Sequence, residues 1–136
     1  MMIFAFKRRG HTLIEILMVL AIIGMIAAIS VTNFQSHHKR TNVNVTKANL
    51  ESIRMAVAMF YEEEGQWPNS SLSDLVSGSP SGTQYLPAIP KEAISGTATV
   101  YSVPNYSGGW HWDPGNHVIH PNLSGSDAFG TPYSTY

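Results

Sequence analysis

Two sets of residues have types and spacings that could do chemistry. The first is the run Lys7-Arg8-Arg9-Gly10-His11-Thr12-Leu13-Ile14-Glu15, where three cations lead into an apolar stretch that carries a single carboxylate. Between Leu13 and Val31 the one ionisable side chain is Glu15; only Gly24 and Ser30 otherwise interrupt the apolar character. An ionised carboxylate near the start of an apolar helix is costly even on lenient insertion scales, and such groups find a partner or mark function. A cut between Gly10 and His11 would place a new positive α-amino group four residues before Glu15, at the same membrane depth. Geometry within one helix makes the self-pair awkward, so the amine of a neighbouring copy is the better partner, and assembly is the chemistry expected of Glu15. The second set is His111, Asp113, His117 and His120, since clustered imidazoles and carboxylates can ligate metals. A hairpin could bring two of these imidazoles together across a turn. Their spacing matches no zinc motif, and no serine, histidine and acid arrangement stands out. A surface or edge-strand role is therefore expected, with no catalytic, metal or cofactor site and no enzymatic activity.

The first set needs an apolar helix to hold it. Residues 13–31 at ~1.5 Å each reach ~28 Å, close to the ~30 Å of a hydrocarbon core. Lys7, Arg8 and Arg9 before the span favour a cytoplasmic N-terminus and an exported remainder, although His37, His38, Lys39 and Arg40 beyond it weaken the asymmetry. A competing reading takes the stretch as a secretory signal cut near Ala28-Ile29-Ser30, but the apolar core of such a signal rarely opens with a glutamate. After a polar stretch, Val45, Ala48, Leu50, Ile53, Ala56, Val57 and Phe60 recur at three- and four-residue steps, opposite Lys47, Glu51, Arg54 and Glu62. This spacing predicts one helix of ~80 Å from Thr12 to Glu64, stopped by Gly65 and Trp67-Pro68.

From Gly65 onward the chain holds all eight prolines and nine of the eleven glycines, so it changes character there. Ser71–Val76 is expected to add a helical turn or two. Thr97–Val103 alternates like a strand, and Trp110–Trp112 with His117–Ile119 flank Asp113-Pro114-Gly115-Asn116 as a hairpin. Two or three strands alone are marginal, so their apolar face is expected on the helix stripe. The fold class is thus α+β, a long N-terminal helix packed on a small antiparallel sheet. The expected divisions are a leader at 1–10, a membrane and assembly helix at 11–32, its amphipathic continuation at 33–64 and a head at 65–136. Trp67, Trp110, Trp112 and the tyrosines are expected in the core and in subunit contacts, Glu62-Glu63-Glu64 as a solvated helix end, and Lys39-Arg40 against lipid headgroups or acidic groups of a neighbour.

The run Arg9-Gly10-His11-Thr12-Leu13-Ile14-Glu15, after a basic leader and before an apolar span, resembles the prepilin cleavage and methylation motif of type IV pilins and type II secretion pseudopilins. That resemblance implies cleavage after Gly10 by prepilin peptidase, N-methylation of His11, and pairing of Glu15 with the N-terminus of an adjacent subunit. His11 stands where phenylalanine is usual, and Thr32 stands near the place where many pilins carry a helix-kinking proline. Further on, Glu64-Gly65-Gln66-Trp67-Pro68 is similar to the stop after the long helix in many of these proteins. Tyr85-Leu86-Pro87 and Ile89-Pro90-Lys91 resemble a common following loop. Asp127-Ala128-Phe129-Gly130-Thr131-Pro132-Tyr133 resembles a motif of major pseudopilins, but it is displaced towards the C-terminus and lacks the acidic calcium loop that follows it there.

Composition fits an exported structural subunit. The absence of cysteine removes both a disulfide framework and a thiol nucleophile, and it leans towards a pseudopilin or a minimal pilin. Loss of the leader would leave five basic against nine acidic residues, a balance that does not advertise nucleic acid as a partner. The resemblance implies a homo-oligomeric filament, prepilin peptidase, assembly platform proteins of the inner membrane and membrane lipid as partners. The expected location is a single-pass inner-membrane protein with a periplasmic head, later part of a periplasmic pseudopilus or a cell-surface pilus. The other classes are an anchored periplasmic binding module and a metal-dependent periplasmic enzyme using His111, His117 or His120.

Overall fold

The computed structural model describes residues 12–136 of the chain, with side chains for all of these except 29–36. The expected leader and its junction at Gly10 and His11 lie outside the described residues. Helix α1 runs from Leu13–Glu64, followed by the single turn α2 at Asp74–Ser77, strands β1 (Val100–Tyr101), β2 (Trp110–Asp113) and β3 (Val118–Pro121), and a 3-10 turn at Tyr133–Thr135. The chain divides into two compact units, one up to Ser36 and one from His37 to Tyr136.

In the first unit the described apolar side chains, those of residues 13–28, are exposed. Leu13 is 79% exposed, and Ile16, Leu20, Ile23 and Ile26 lie open as well, on every face of the helix. A helix apolar all round belongs in a protein core or in lipid rather than in water. Among the described residues no helix is long and apolar enough to cross a membrane. The stretch with described side chains, 13–28, falls short of the ~20 residues a span requires. The remainder of the expected 11–32 segment includes His11 and the side chains of 29–32, which lie outside the description.

In the second unit α1 buries one stripe: Val43, Thr46, Leu50, Ile53, Ala56, Val57 and Phe60. The stripe expected from the apolar residues starts elsewhere. Val45 and Ala48 are exposed, because stepping back from Leu50 by four and then three residues lands on Thr46 and Val43. Thr46 is buried through a hydrogen bond that hydropathy does not register. Onto this stripe pack Leu72 and Leu75 around α2, Leu86 from the following loop, and Trp110, Trp112 and Ile119 from the sheet. Full burial of a side chain of this size contributes ~1.5–3 kcal/mol, so the sheet and the helix stabilise each other. At the end of α1, Gly65 adopts φ +68° and donates its amide to Tyr61 O at 2.9 Å, which is the expected stop.

The sheet is mixed, not antiparallel as expected. Strands β2 and β3 pair antiparallel from Trp110↔Pro121 to Asp113↔Val118, whereas β1 pairs parallel with β2. No tight turn follows β1. The chain instead loops through Pro104, Tyr106 at φ 59° and Gly108, then returns to run in its original direction. Gly109 is required at the point of return, since a Cβ there would lie 2.3 Å from Thr99 O. The strand expected over 97–103 shrinks to two residues because Thr97 is drawn into a bridge with Glu92, while Val103 is 71% exposed. The hairpin turn forms as expected: Asp113 Oδ1 accepts the amides of Gly115 and Asn116 at 2.8 and 3.1 Å. His117 belongs to that turn, at φ 57°, and β3 begins one residue later than expected.

Candidate functional site

The first candidate site is the start of α1. Thr12 O accepts the amides of Glu15 and Ile16 at 3.0 and 3.3 Å, which fixes the first turn. Glu15 stands in that turn, where a negative charge interacts favourably with the helix dipole. Its carboxylate is exposed among exposed apolar neighbours and has no hydrogen-bond or ion-pair partner among the described residues. The dipole offsets only part of the cost of that charge in an apolar setting. Gly10 and His11, expected to be cut and methylated, lie outside the described residues.

A second cluster joins the C-terminal loop to α1, and sequence reasoning missed its centre. Asp127 has a buried side chain whose Oδ1 accepts the amides of Phe129 and Thr131 at 2.7 and 2.9 Å. Its Oδ2 accepts the Tyr136 hydroxyl and, at 3.4 Å, the Lys47 ammonium. Burial alone would raise the carboxyl, but Tyr136, the two amides and Lys47 outweigh it and bring the value down to about 2. The Lys47 ammonium also lies 4.4 Å from the centre of the Tyr136 ring, and the Arg40 guanidinium lies 5.5 Å from the Phe129 ring. The Asp127 motif is therefore a latch whose two oxygens are taken by the protein's own donors. The expectation that placed Arg40 on lipid or a neighbour's acids is modified, because an aromatic of its own head holds it.

Glu92 is a second missed carboxylate, fully buried and surrounded by donors. It accepts the Thr46 hydroxyl at 3.0 Å, the Ser95 amide at 2.8 Å, and also the Ile94 amide and the Ser95 hydroxyl. Thr46 Oγ1 in turn accepts the Ala93 amide at 3.1 Å. The knot fixes the loop at 92–95 against α1. Glu63 and Glu64 likewise depart from a solvated helix end: Tyr85 donates its hydroxyl to Glu63 at 2.7 Å, and the Ser81 amide and hydroxyl bond Glu64. The hydroxyls of Ser79 and Ser81 hold the Glu64 carboxyl below its ordinary range.

Of the candidate metal ligands, the hairpin brings His111 and His120 together, Nδ1 to Nε2 at 3.2 Å, at one cross-strand position. His117 points elsewhere and stacks on Trp67 with 4.1 Å between ring centroids, while Tyr61 stacks on Trp67 at 4.2 Å. Trp67, expected in the core or in a subunit contact, is 38% exposed. These rings border a cavity of about 390 Å³ that Arg54 and Trp112 also line. Among the described residues no three His, Cys, Asp or Glu side chains converge to hold a metal.

Comparison with known proteins places the N-terminal segment in context. Residues 5–31 match the family described as prokaryotic N-terminal methylation motif. The chain is 32% identical over 97 residues, 70% of its length, to the type IV major pilin protein PilE1 of Neisseria gonorrhoeae, and covers 54% of that protein. It is 38% identical over 61 residues to the type IV major pilin protein PilA of Myxococcus xanthus, covering 45% of this chain and 28% of that one. A fimbrial protein of Neisseria meningitidis serogroup A is 33% identical over 72 residues, 53% of this chain and 42% of the relative. The chain thus spans about half the length of these relatives or less. No solved structure matches it.

Proposed function

The chain belongs to the type IV pilin family, and from that premise we propose that it is a structural subunit of a helical filament assembled from the inner membrane. The observation that carries this reading is Glu15, a carboxylate without a partner among the described residues, set in a helix whose apolar side chains are open on every face. The segment 11–32 stores the subunit in the bilayer, N-terminus inside and head outside. Prepilin peptidase cuts between Gly10 and His11, and the new amine, N-methylated on His11, pairs with Glu15 of the adjacent subunit. Burial of the exposed helix supplies most of the cohesion: ~1000 Å² of apolar surface is worth ~25 kcal/mol before ordering entropy and lost lipid contacts are set against it. The ion pair sets the stagger between subunits more than the net stability, because desolvation offsets much of its attraction.

The names of the relatives favour a pilus; genes for a retraction ATPase, or for a secretion ATPase and secretin, beside this one decide between a pilus and a secretion pseudopilus. Intact mass of the membrane-purified protein tests the processing. Loss of residues 1–10 with one added methyl is expected, and a full-length mass or a cut after Ser30 overturns the proposal. The Glu15→Ala chain is expected to insert and be cut as usual, yet to yield less than about a tenth of the wild-type filament, as for removal of the partner of a buried charge. Normal filament yield from that variant removes the pairing role.

A further inference from the structure

His111 and His120 occupy one cross-strand position of the β2–β3 hairpin, on the face opposite Trp110, Trp112 and Ile119. Their rings stand at 77° with centroids 4.7 Å apart, and the 3.2 Å line between Nδ1 of His111 and Nε2 of His120 has room for one proton. The other nitrogen of His120, Nδ1, is buried without a hydrogen-bond partner among the described residues. A buried N–H with no acceptor is more costly than a bare ring nitrogen. The tautomer follows: His120 carries its proton on Nε2 and donates it to Nδ1 of His111, which is itself protonated on Nε2.

A second proton has two places to go, and both are poor. On His120 Nδ1 it would make a buried cation whose new N–H has no acceptor. On His111 Nδ1 it would set two N–H groups head to head across 3.2 Å. The surroundings offer little relief. From α1, Arg54 bonds Ile119 O at 3.1 Å and brings a like charge beside His120. Of the anions, Glu51 on α1 is paired with Arg54 at 2.7 Å, and Asp113 on β2 has its oxygens already engaged by Gly115 and Asn116. Tyr101 on β1, in register with His111, and Tyr133 on the turn packed against β3 bring phenol rings and no carboxylate. Burial, His111 and Arg54 accordingly push the His120 imidazole below its usual range, with Asp113 alone opposing them.

We propose that His111 and His120 form a one-proton clasp, which holds the β2–β3 hairpin closed at neutral pH and releases it when a second proton enters. The consequence reaches the surface, because the turn of this hairpin carries His117 and so one half of the ring stack on Trp67. The sign follows from linkage. The unfolded chain takes up this proton near pH ~6.5 and the folded one only below that, so closure is fully favoured above pH ~6.5 and weakens as the pH falls.

The test uses the full chain in detergent micelles. Amide hydrogen exchange of the β2–β3 pairs, corrected for the intrinsic pH dependence, is expected to lose at least about tenfold in protection between about pH 7.5 and pH 5. His120→Gln, which cannot take the proton, is expected to keep its protection within about twofold over that range, and His117→Gln to lose it as the wild type does. Unchanged protection in the wild type, or an undiminished loss in His120→Gln, overturns the clasp. If His120→Gln does not fold, nitrogen-15 spectra of the wild-type rings decide: a proton on His120 Nε2 with Nδ1 bare supports the clasp, and a proton on Nδ1 refutes it.

Discussion

Residues 13–28 and residues 37–136 draw on the same apolar side chains and treat them in opposite ways. Leu13 is 79% exposed, while Leu50, in the second unit, is 1% exposed. The second unit buries Leu50, Leu72, Leu75, Val57, Trp110 and Trp112 in its own core, whereas residues 13–28 leave Leu, Ile and Met open around the helix. Charge follows the same division. Glu15 has no partner among the described residues, but Glu92 and Asp127 are each enclosed by donors from their own unit. The lesson is that the stability of the second unit does not draw on residues 13–28, so substitutions there can spare its fold.

The strongest test of that separation is a pair of truncations. Trp112→Ala removes a fully buried ring and is expected to destabilise the head by ~3–5 kcal/mol in denaturant unfolding. Leu20→Ala, at 58% exposure, is expected to leave the same transition within ~0.5 kcal/mol. Equal effects would erase the distinction between the two segments.

Acid provides a test of intermediate size. The folded Asp127 carboxyl lies at about 2, below its unfolded value, so its contribution is complete above pH ~4 and is lost as the pH falls towards 2. Head stability measured against pH is expected to show this step in the wild type and to lack it in Asp127→Asn. The smallest effect sharpens the comparison within one helix. Thr46→Val deprives Glu92 and Ala93 of a hydrogen bond each and is expected to cost ~1–3 kcal/mol, whereas Val45→Ser next to it, exposed, is expected to change stability by no more than ~0.5 kcal/mol.

The legible parts of the chain were those governed by local rules. The long helix, its stop at Gly65 and the Asp113–Asn116 turn each follow from spacing or from one residue's backbone preference, and the structure has all three. The phase of the buried stripe was readable only from Leu50 onward, because at its upper end the buried residue is Thr46, whose partner Glu92 lies 46 residues away. The direction of β1 was hidden for the same reason: it depends on how the loop through Gly108 and Gly109 returns past Thr99, which is a tertiary fact. Asp127 had a local signal in the spacing of Asp127 to Phe129 and Thr131, an Asx-type turn, but nothing nearby announces Lys47, 80 residues earlier. At the candidate site Glu15 was legible as a lone acid in an apolar run, and the structure shows it without a partner among the described residues.

The long sequence separation between α1 and the β2–β3 hairpin has a further consequence for folding. The stripe on α1 is made early, but its covers Trp110, Trp112 and Ile119 come some 50 to 70 residues later. Until those residues arrive, Leu50, Ile53 and Phe60 have only part of their shelter, and closing such distant contacts is slower than forming the helix itself. As the chain is made, α1 therefore stands for a time with a bare flank, and the second unit closes over it only once the hairpin has followed.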